Sequence, residues 1–575
     1  MRTRDIVLAV VMSFCVGGIS YGQAASTGTI LGRVSDISDA ALPNASVTIV
    51  NTATGASRKL QTNQSGEYTL PELKPGPYKV TVELQGFGAQ VSTLTVVVAQ
   101  QARVDAQLKV GSAVETVQVD ASAVSLDTDT ASVSQLVSQR QVEGLPLNGR
   151  NFLNLLFIGA GAVQTVGEQG QMRSGEGNAI SINGGRPESN NYTLDGMANT
   201  DTALSTPAVI LSQDAIQEFK VQSETYSAEF GFSANQVNIV SKSGTNQLHG
   251  ALFEFNRNDA FDASTHFQPT KPVLRQNQFG FVAGGPVFIP KLYDGRDRTF
   301  FLANYEGWRI KVGTSPTNQN VPDPAQLSGN FNSSVLPPYG TPDCTAALSA
   351  GNACLPVDPT TGQPFPGNVV PASRFSKLAT VTLGAKLFPS PNCTTSGCTG
   401  NFVLRTVLPN ASNQQTYRLD QALGRYGSIF GRYTKAKYSV STAGTVSIPF
   451  GLNLFTEDST SWEVSHSISL GQKNVNNVRY GQLSATALQG VTSAPASDIT
   501  ALGLSSIFTN LPDYARGYPG VSIAGYSGTA GSPGNSPTTS DNPLWELADS
   551  LTSLHGRHTL SIGFDYRSWI QKRNL

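Results

Sequence analysis

Charge is scarce in this sequence. Only 14% of its 575 residues are Asp, Glu, Lys or Arg, against about 25% in an ordinary soluble protein. Polar surface must instead come from Asn, Gln, Ser, Thr and Gly. The 39 Lys and Arg nearly cancel the 40 Asp and Glu, so no counterion-release drive favours nucleic acid, and a DNA or RNA partner is not expected. The five histidines, His249, His266, His466, His555 and His558, show no zinc-type spacing. "HGRH" at His555 is more simply a hairpin link than a metal pair. Arg186, Glu188 and Asp195 lie near one another in sequence, but no nucleophile and base pair up beside them. The chain is accordingly expected to be no enzyme and to carry neither metal nor cofactor.

Long apolar runs are missing beyond the first residues, so no helix is expected to cross a membrane, and any membrane role falls to strands. The opening "MRTRDIVLAVVMSFCVGGISYGQAAS" has Arg2 and Arg4, an apolar run from Ile6 to Ile19, and small residues at Gly22 and Ala24. That is the pattern of a secretory signal peptide over residues 1–22, removed on export. Of five cysteines, Cys15 sits in this leader without the small residues that a lipoprotein signal places before its cysteine. The other four, Cys344, Cys354, Cys393 and Cys398, form two closely spaced sets in a Pro/Gly/Ser-rich stretch. In an exported protein these are candidates for loop-stapling disulfides, with connectivity open.

What the sequence does have is alternation. From residue 27 to 110, Val47 and Ile49 alternate with Ser46 and Thr48, and Pro75-Gly76-Pro77 breaks the chain before Tyr78, Val80 and Val82. Short strands with turn chemistry between them make a small β-sandwich. Here "GRVSDISDAALPNASVTI" and "QSGEYTLPELKPGPYKVTV" resemble the carboxypeptidase-regulatory-like domain, found at the front of many outer-membrane receptors. A linker, 111–125, follows. Within it Glu115, Thr116, Val117, Gln118 and Val119 are extended, with a leading acid, and could add to a partner's sheet backbone to backbone. The segment is similar to the TonB box of TonB-dependent receptors, with Gln118 and Asp120 departing from the usual threonines. The other reading is the last strand of the sandwich.

Between 126 and 245 three stretches occur in order: "LPLNGRNFLNLL", "SINGGRPESNNYTLDGMANTD" and "AIQEFKVQSETYSAEFGFSANQVNIVSKSGTNQLHG". Together they resemble the plug domain of large TonB-dependent receptors, a mixed α/β insert. The matching positions are Leu145, Pro146, Asn148, Gly149, Arg150, Asn183, Gly184, Arg186, Asn190, Asn191, Asp195 and Gly196. Asn183, Gly184 and Gly185 suit positive-φ turns, Asn190 and Asn191 can satisfy loop backbone, and Tyr192 and Leu194 alternate with Thr193 and Asp195 as a strand closed by Gly196.

From 246 to 575, roughly nine alternating segments recur, each near the ~9–11 residues of a tilted membrane strand. Connections alternate long and short, as in bacterial outer-membrane barrels. Trp308, Tyr433, Tyr438, Trp462, Tyr566 and Trp569 lie near strand ends, where interface girdles would put aromatics. Near the end, Leu560, Ile562, Phe564 and Tyr566 form an apolar face and Ser561, Gly563, Asp565 and Arg567 a wet one.

The fold class is therefore mainly β: an N-terminal β-sandwich, a mixed α/β plug domain and a partial transmembrane antiparallel β-barrel. The family resemblance implies a TonB-dependent outer-membrane receptor of a Gram-negative-type bacterium. Its implied partners are an inner-membrane energy-coupling protein of TonB type, outer-membrane lipid and an extracellular ligand. A non-transporting binding or adhesion protein is the alternative. Such barrels have about 22 strands, and open edges in lipid are costly. With fewer than half that number, and Arg573, Asn574 and Leu575 in place of a closing aromatic, the sequence is expected to be a fragment or a truncated frame.

Overall fold

The computed structural model describes residues 26–111, 115–116, 133–165, 179–201, 206–224, 233–264, 266, 271–314, 316–332, 336–350, 354–384, 388–393, 400–443, 452–491, 523, 526, 538–555 and 558–574. The expected leader, Val117 to Val119 and Cys398 lie outside them. Among the described residues no helix is long and apolar enough to cross a membrane.

Two sheets form the N-terminal sandwich. One holds Gly28–Asp36, Glu67–Leu73, Gln101–Arg103 and Ala106–Leu108; the other runs Ser57–Gln61, Ser46–Asn51, Gly76–Glu83, Gln90–Val96, Glu115–Thr116. Strand alternation sends Val47, Ile49, Val80 and Val82 inward against Ile30 and Val34 of the facing sheet, giving one closed core. Glu115 and Thr116 pair in parallel with Gln90 and Val91, as the last strand of the sandwich would.

An inner domain follows. Its five-stranded sheet has the order Val133–Val137, Ile216–Glu224, Asn235–Ser241, Asn190–Leu194, Met197–Ala198. Helical content is small: one α-turn at Gln139–Gly144 and 3-10 segments such as Phe152–Ile158. Asn151 starts the latter, its side chain accepting from the Leu153 N–H, so four apolar residues, Phe152, Leu153, Leu155 and Leu156, roll under the sheet. Phe152 meets Phe219 edge to face with centroids 5.7 Å apart.

The rest is a wall of eleven antiparallel strands that does not close on itself among the described residues. All nine long segments expected from the sequence are strands, from the 10 residues of His249–Asn258 to the 19 of Leu452–Leu470. Tight links join Ala422 to Ser428 and Leu470 to Asn474, whereas the opposite end carries an excursion from Gly313 to Val407. Along neighbouring strands Thr416, Arg418, Asp420, Arg432 and Glu463 are buried on the concave side, while Tyr417, Leu419, Tyr433, Val464 and Tyr480 are exposed on the other. This is the apolar-out, polar-in alternation of a membrane barrel. Trp462, Tyr480 and Trp545 form an aromatic cluster outside, with centroids 5.6–6.0 Å apart, next in register to Tyr433. Two of the aromatics near strand ends are ordinary strand residues that face inward: Tyr438 is buried on the inner side, hydrogen-bonded to Gln414, and Trp308 pairs with inward-facing Gln278 and Ser412. Position near a strand end does not decide which face a residue takes; parity does.

The inner domain packs on the concave side. Its core is continuous with Ala436, Tyr438, Leu483, Ala485 and Leu544 of the wall. Gly481 shows how close the approach is: a Cβ there would lie 2.3 Å from the Trp462 carbonyl and 2.5 Å from the Met197 sulfur. Gly481→Ala is expected to destabilise the folded protein by about 1–3 kcal/mol through overpacking. A thermal melt in detergent checks this, and an unchanged midpoint would remove Met197 from that seat.

Candidate functional site

The candidate site is the contact between the inner domain and the wall. It starts from one tight turn. Asn190–Leu194 runs parallel to Asn235–Ser241, and the chain then reverses through Asp195 and Gly196, both at positive φ. Asp195 tolerates this because its carboxylate is held on both oxygens. The Ser241 N–H donates to Oδ1 at 2.9 Å and the Ser241 hydroxyl to Oδ2 at 2.7 Å.

Two wall arginines close on the same carboxylate. Arg418 Nη1 donates to Oδ1 at 3.2 Å, and Arg432 Nε lies 2.8 Å from Oδ2. The second contact is ionic rather than a hydrogen bond, because the Arg432 Nε–H does not line up with an acceptor. Arg418 is also forked onto Asp420 at 2.9 and 3.0 Å, and Arg432 donates to Glu463 at 3.1 Å. Side-chain exposure across these five groups is 7% or less. Charges so dry hold together only because each faces its opposite and is hydrogen-bonded.

Other ties repeat the scheme. Arg150, also at positive φ, pairs with Asp214 and lies 3.5 Å from Glu306 of the wall. Glu306 accepts from Ser212 of the inner domain and Gln278 of the wall, both at 2.6 Å. The Arg150 guanidinium also stacks 4.4 Å from the Phe253 ring centre. Glu546 accepts from the Ala198 N–H at 2.8 Å. Beside Arg150 lies a cavity of about 20 Å³ whose lining includes Gly149, Glu306, Trp308 and Ser412, room for about one water.

Inside the sheet the amides form a ladder. Asn190 Nδ2 donates to the Ile180 carbonyl, Asn235 to Asn190, Asn191 to Gln236, Thr193 to Asn238, and Asn238 to Gln222, all at 2.6–2.9 Å. Asn183 and Gly184 have positive φ, but Gly185 does not. It is small for another reason, since a Cβ there would press on Ser189 Oγ and the Ile182 carbonyl at 3.0–3.1 Å. Of the other matched positions, Leu145 and Pro146 are exposed after the α-turn, Gly149 and Asn148 begin the turn that presents Arg150, and Arg186 is exposed. The structure thus unites Arg150, Asn190, Asn191 and Asp195 with the wall or the ladder and leaves Arg186 outside. It adds Arg418, Asp420, Arg432, Glu463, Glu306 and Glu546, which the sequence reading passed over. The available signal was charge at alternate positions on the wet face, as in Arg418 and Asp420 two residues apart.

The sandwich also touches this assembly. Glu218 of the inner sheet accepts from the Val98 N–H at 2.5 Å, and Lys220 donates to the Ala99 carbonyl at 2.9 Å. On the excursion, a disulfide joins Cys344 to Cys354, and Cys393 is disulfide-bonded as well.

A large antiparallel sheet with a polar face packed on the inner domain and an apolar face turned outward is the pattern of an outer-membrane barrel wall. The chain belongs to the outer membrane beta barrel domain family, which it matches over residues 240–574. Residues 29–109 match the carboxypeptidase regulatory-like domain. It is similar to the TonB-dependent transporter Oar of Myxococcus xanthus, with 26% identity over 310 residues, 51% of this chain and 28% of that protein. The chain thus spans less than a third of that relative's length. Among solved structures it resembles the outer membrane transporter YddB from Escherichia coli, with a TM-score of 0.44, 10% identity, and 76% and 48% of the two chains covered. It also resembles the siderophore receptor PiuA from Acinetobacter baumannii, with a TM-score of 0.30, 12% identity and coverages of 77% and 61%.

Two outcomes follow. Asp195→Asn leaves Arg418 and Arg432 facing a neutral group and is expected to cost about 3–5 kcal/mol, seen as a lower denaturant midpoint; a loss under ~1 kcal/mol would mean the arginines re-pair within the wall. Burial pushes the Glu218 carboxyl up to about 7 from an ordinary 4.5, against the opposing Val98 N–H and Lys220. Between those values the folded state holds a proton that the unfolded chain has released. Its stabilising share is therefore complete below the lower value and is lost as pH rises to the upper one. Wild type should lose stability relative to Glu218→Gln between about pH 5 and about pH 8, and a pH-independent difference in melting temperature would contradict it.

Proposed function

We propose that this protein is an outer-membrane receptor for energy-coupled uptake of the TonB-dependent kind, and that residues 126–245 are its plug. The observation that carries the reading is the contact between inner domain and wall. Paired charges and hydrogen bonds hold it beside an apolar seam at Ala436, Tyr438, Leu483, Ala485 and Leu544, and that polar part can be exchanged for water contacts, whereas separation of the apolar part is opposed in proportion to area.

The parts then take these roles. Residues 1–22 export the chain, 27–110 form a periplasmic sandwich, 111–125 link it to the plug, and 246–575 belong to the barrel. The tight links at Ala422–Ser428 and Leu470–Asn474 face the periplasm, on the side where the sandwich docks. The excursion Gly313 to Val407, stapled by its disulfide, faces outward and contacts the ligand. No bond in the ligand is made or broken. An inner-membrane partner adds a strand to Glu115–Val119, pulls, and shifts the plug until a path opens along the polar inner face. Glu115 and Thr116 support such a role by being extended at a sheet edge.

Deleting Glu115–Val119 should abolish uptake while barrel insertion and ligand binding at the cell surface persist. Uptake that survives the deletion, or that is indifferent to collapse of the proton gradient, would sink the proposal and favour a passive surface-binding protein.

A further inference from the structure

Lys74 lies at the tip of the turn that carries the chain from Glu67–Leu73 in one sheet of the sandwich to Gly76–Glu83 in the other. The tip is held in shape by the Tyr78 hydroxyl, which donates to the Lys74 carbonyl at 2.8 Å. From there the ammonium reaches into the wall and donates to Asp420 Oδ1 at 2.6 Å, 5.2 Å from the centre of the Phe430 ring. The same ring carries the Arg418 guanidinium at 4.1 Å. Asp420 is therefore shared between a lysine of the sandwich and the arginine that grips Asp195 of the inner domain.

We infer that Lys74 is a latch: by neutralising part of Asp420 it leaves Arg418 free to hold Asp195, so that docking of the N-terminal sandwich tightens the lock between inner domain and wall. The inference rests on the gated-uptake reading for its purpose, though not for its geometry. Lys74, Arg418, Arg432 and Arg479 are the cations that face the carboxylates of Asp195, Asp420 and Glu463 here. Withdrawing Lys74 removes one positive charge from this group and leaves Asp420, whose side chain is only 7% exposed, with one cation fewer. Asp420 then draws on Arg418 alone, and Asp195 is the one carboxylate of the three that can move away, because it belongs to a separate body.

Further contacts fix the sandwich in the position that lets Lys74 reach. Arg58 bonds to the Ser469 hydroxyl beside the Leu470–Asn474 link, and the Asn246 N–H donates to the Ala53 carbonyl at 2.9 Å. Glu218 and Lys220 seize the Val98–Ala99 turn. Half-buried Glu72 of the sandwich feels Arg479 of the wall electrostatically. Since Glu115 and Thr116 are paired to this same sandwich, tension on that segment reaches the sandwich first. Undocking is thus the first step, and loosening of Asp195 the second.

The test is hydrogen exchange at the Ser241 amide, which donates to Asp195, in the full chain in detergent. Lys74→Met should raise its exchange roughly tenfold, the scale of one charge-assisted hydrogen bond. Exchange at the Val47 and Val80 amides of the sandwich core should not change, and Lys74→Arg should restore wild-type exchange. Lys79→Met, at an exposed sandwich lysine, should leave Ser241 as it was. Unchanged Ser241 exchange in Lys74→Met overturns the latch, as does a rise matched at Val47 and Val80, which would be sandwich unfolding. Energy-dependent uptake is measured on the same variants. Faster Ser241 exchange with no energy-dependent uptake in any of them upholds the latch and removes the transport reading.

Discussion

Everything in the structure turns on Asp195 lying between Arg418 and Arg432. A carboxylate buried this deeply is untenable alone and is stabilised only when cations and hydrogen-bond donors replace the water it has lost. Two of its partners come from Ser241 of its own sheet and two from the wall. The inner domain therefore has one register in which it can sit. Such pairs add little net stability over an apolar contact, but removing one partner is costly, so they specify position better than they strengthen it.

The rarity of charge in the sequence gains its meaning here. The outer face of the wall is largely apolar, with Tyr417, Leu419, Tyr433, Val464 and Tyr480 exposed; inside the inner sheet, Asn and Gln satisfy one another in pairs such as Asn191 with Gln236 and Asn238 with Gln222. A neutral amide can donate and accept without Born cost, so a domain almost wholly enclosed can remain polar. Three ion pairs lie where two bodies meet: Arg150 with Glu306, Asp195 with Arg418, Lys74 with Asp420.

The alternation of Leu560 to Tyr566 against Ser561 to Arg567 was legible in the sequence, and in the structure the first set is exposed while Arg567 turns inward to Glu546. The sandwich was legible from Val47, Ile49, Val80 and Val82 for the same reason: period-two burial depends on neighbours along one strand. The aromatics fared less well. Tyr433 and Tyr438 differ by an odd number of residues and so face opposite ways, which proximity to a strand end could not reveal.

The sequence by itself determined the strands, their faces, the turn at Asn183 and Gly184, and the order of the three bodies, because these follow from local chemistry and from a two-residue period; Asp195, which the alternation assigns to the strand, lies instead in the turn at positive φ. Only the tertiary structure decided which carboxylate meets which cation. Asp195 and Arg418 are 223 residues apart, and Lys74 and Asp420 are 346; such partners are chosen by strand register and by the docking of separate bodies, and no spacing along the chain encodes them.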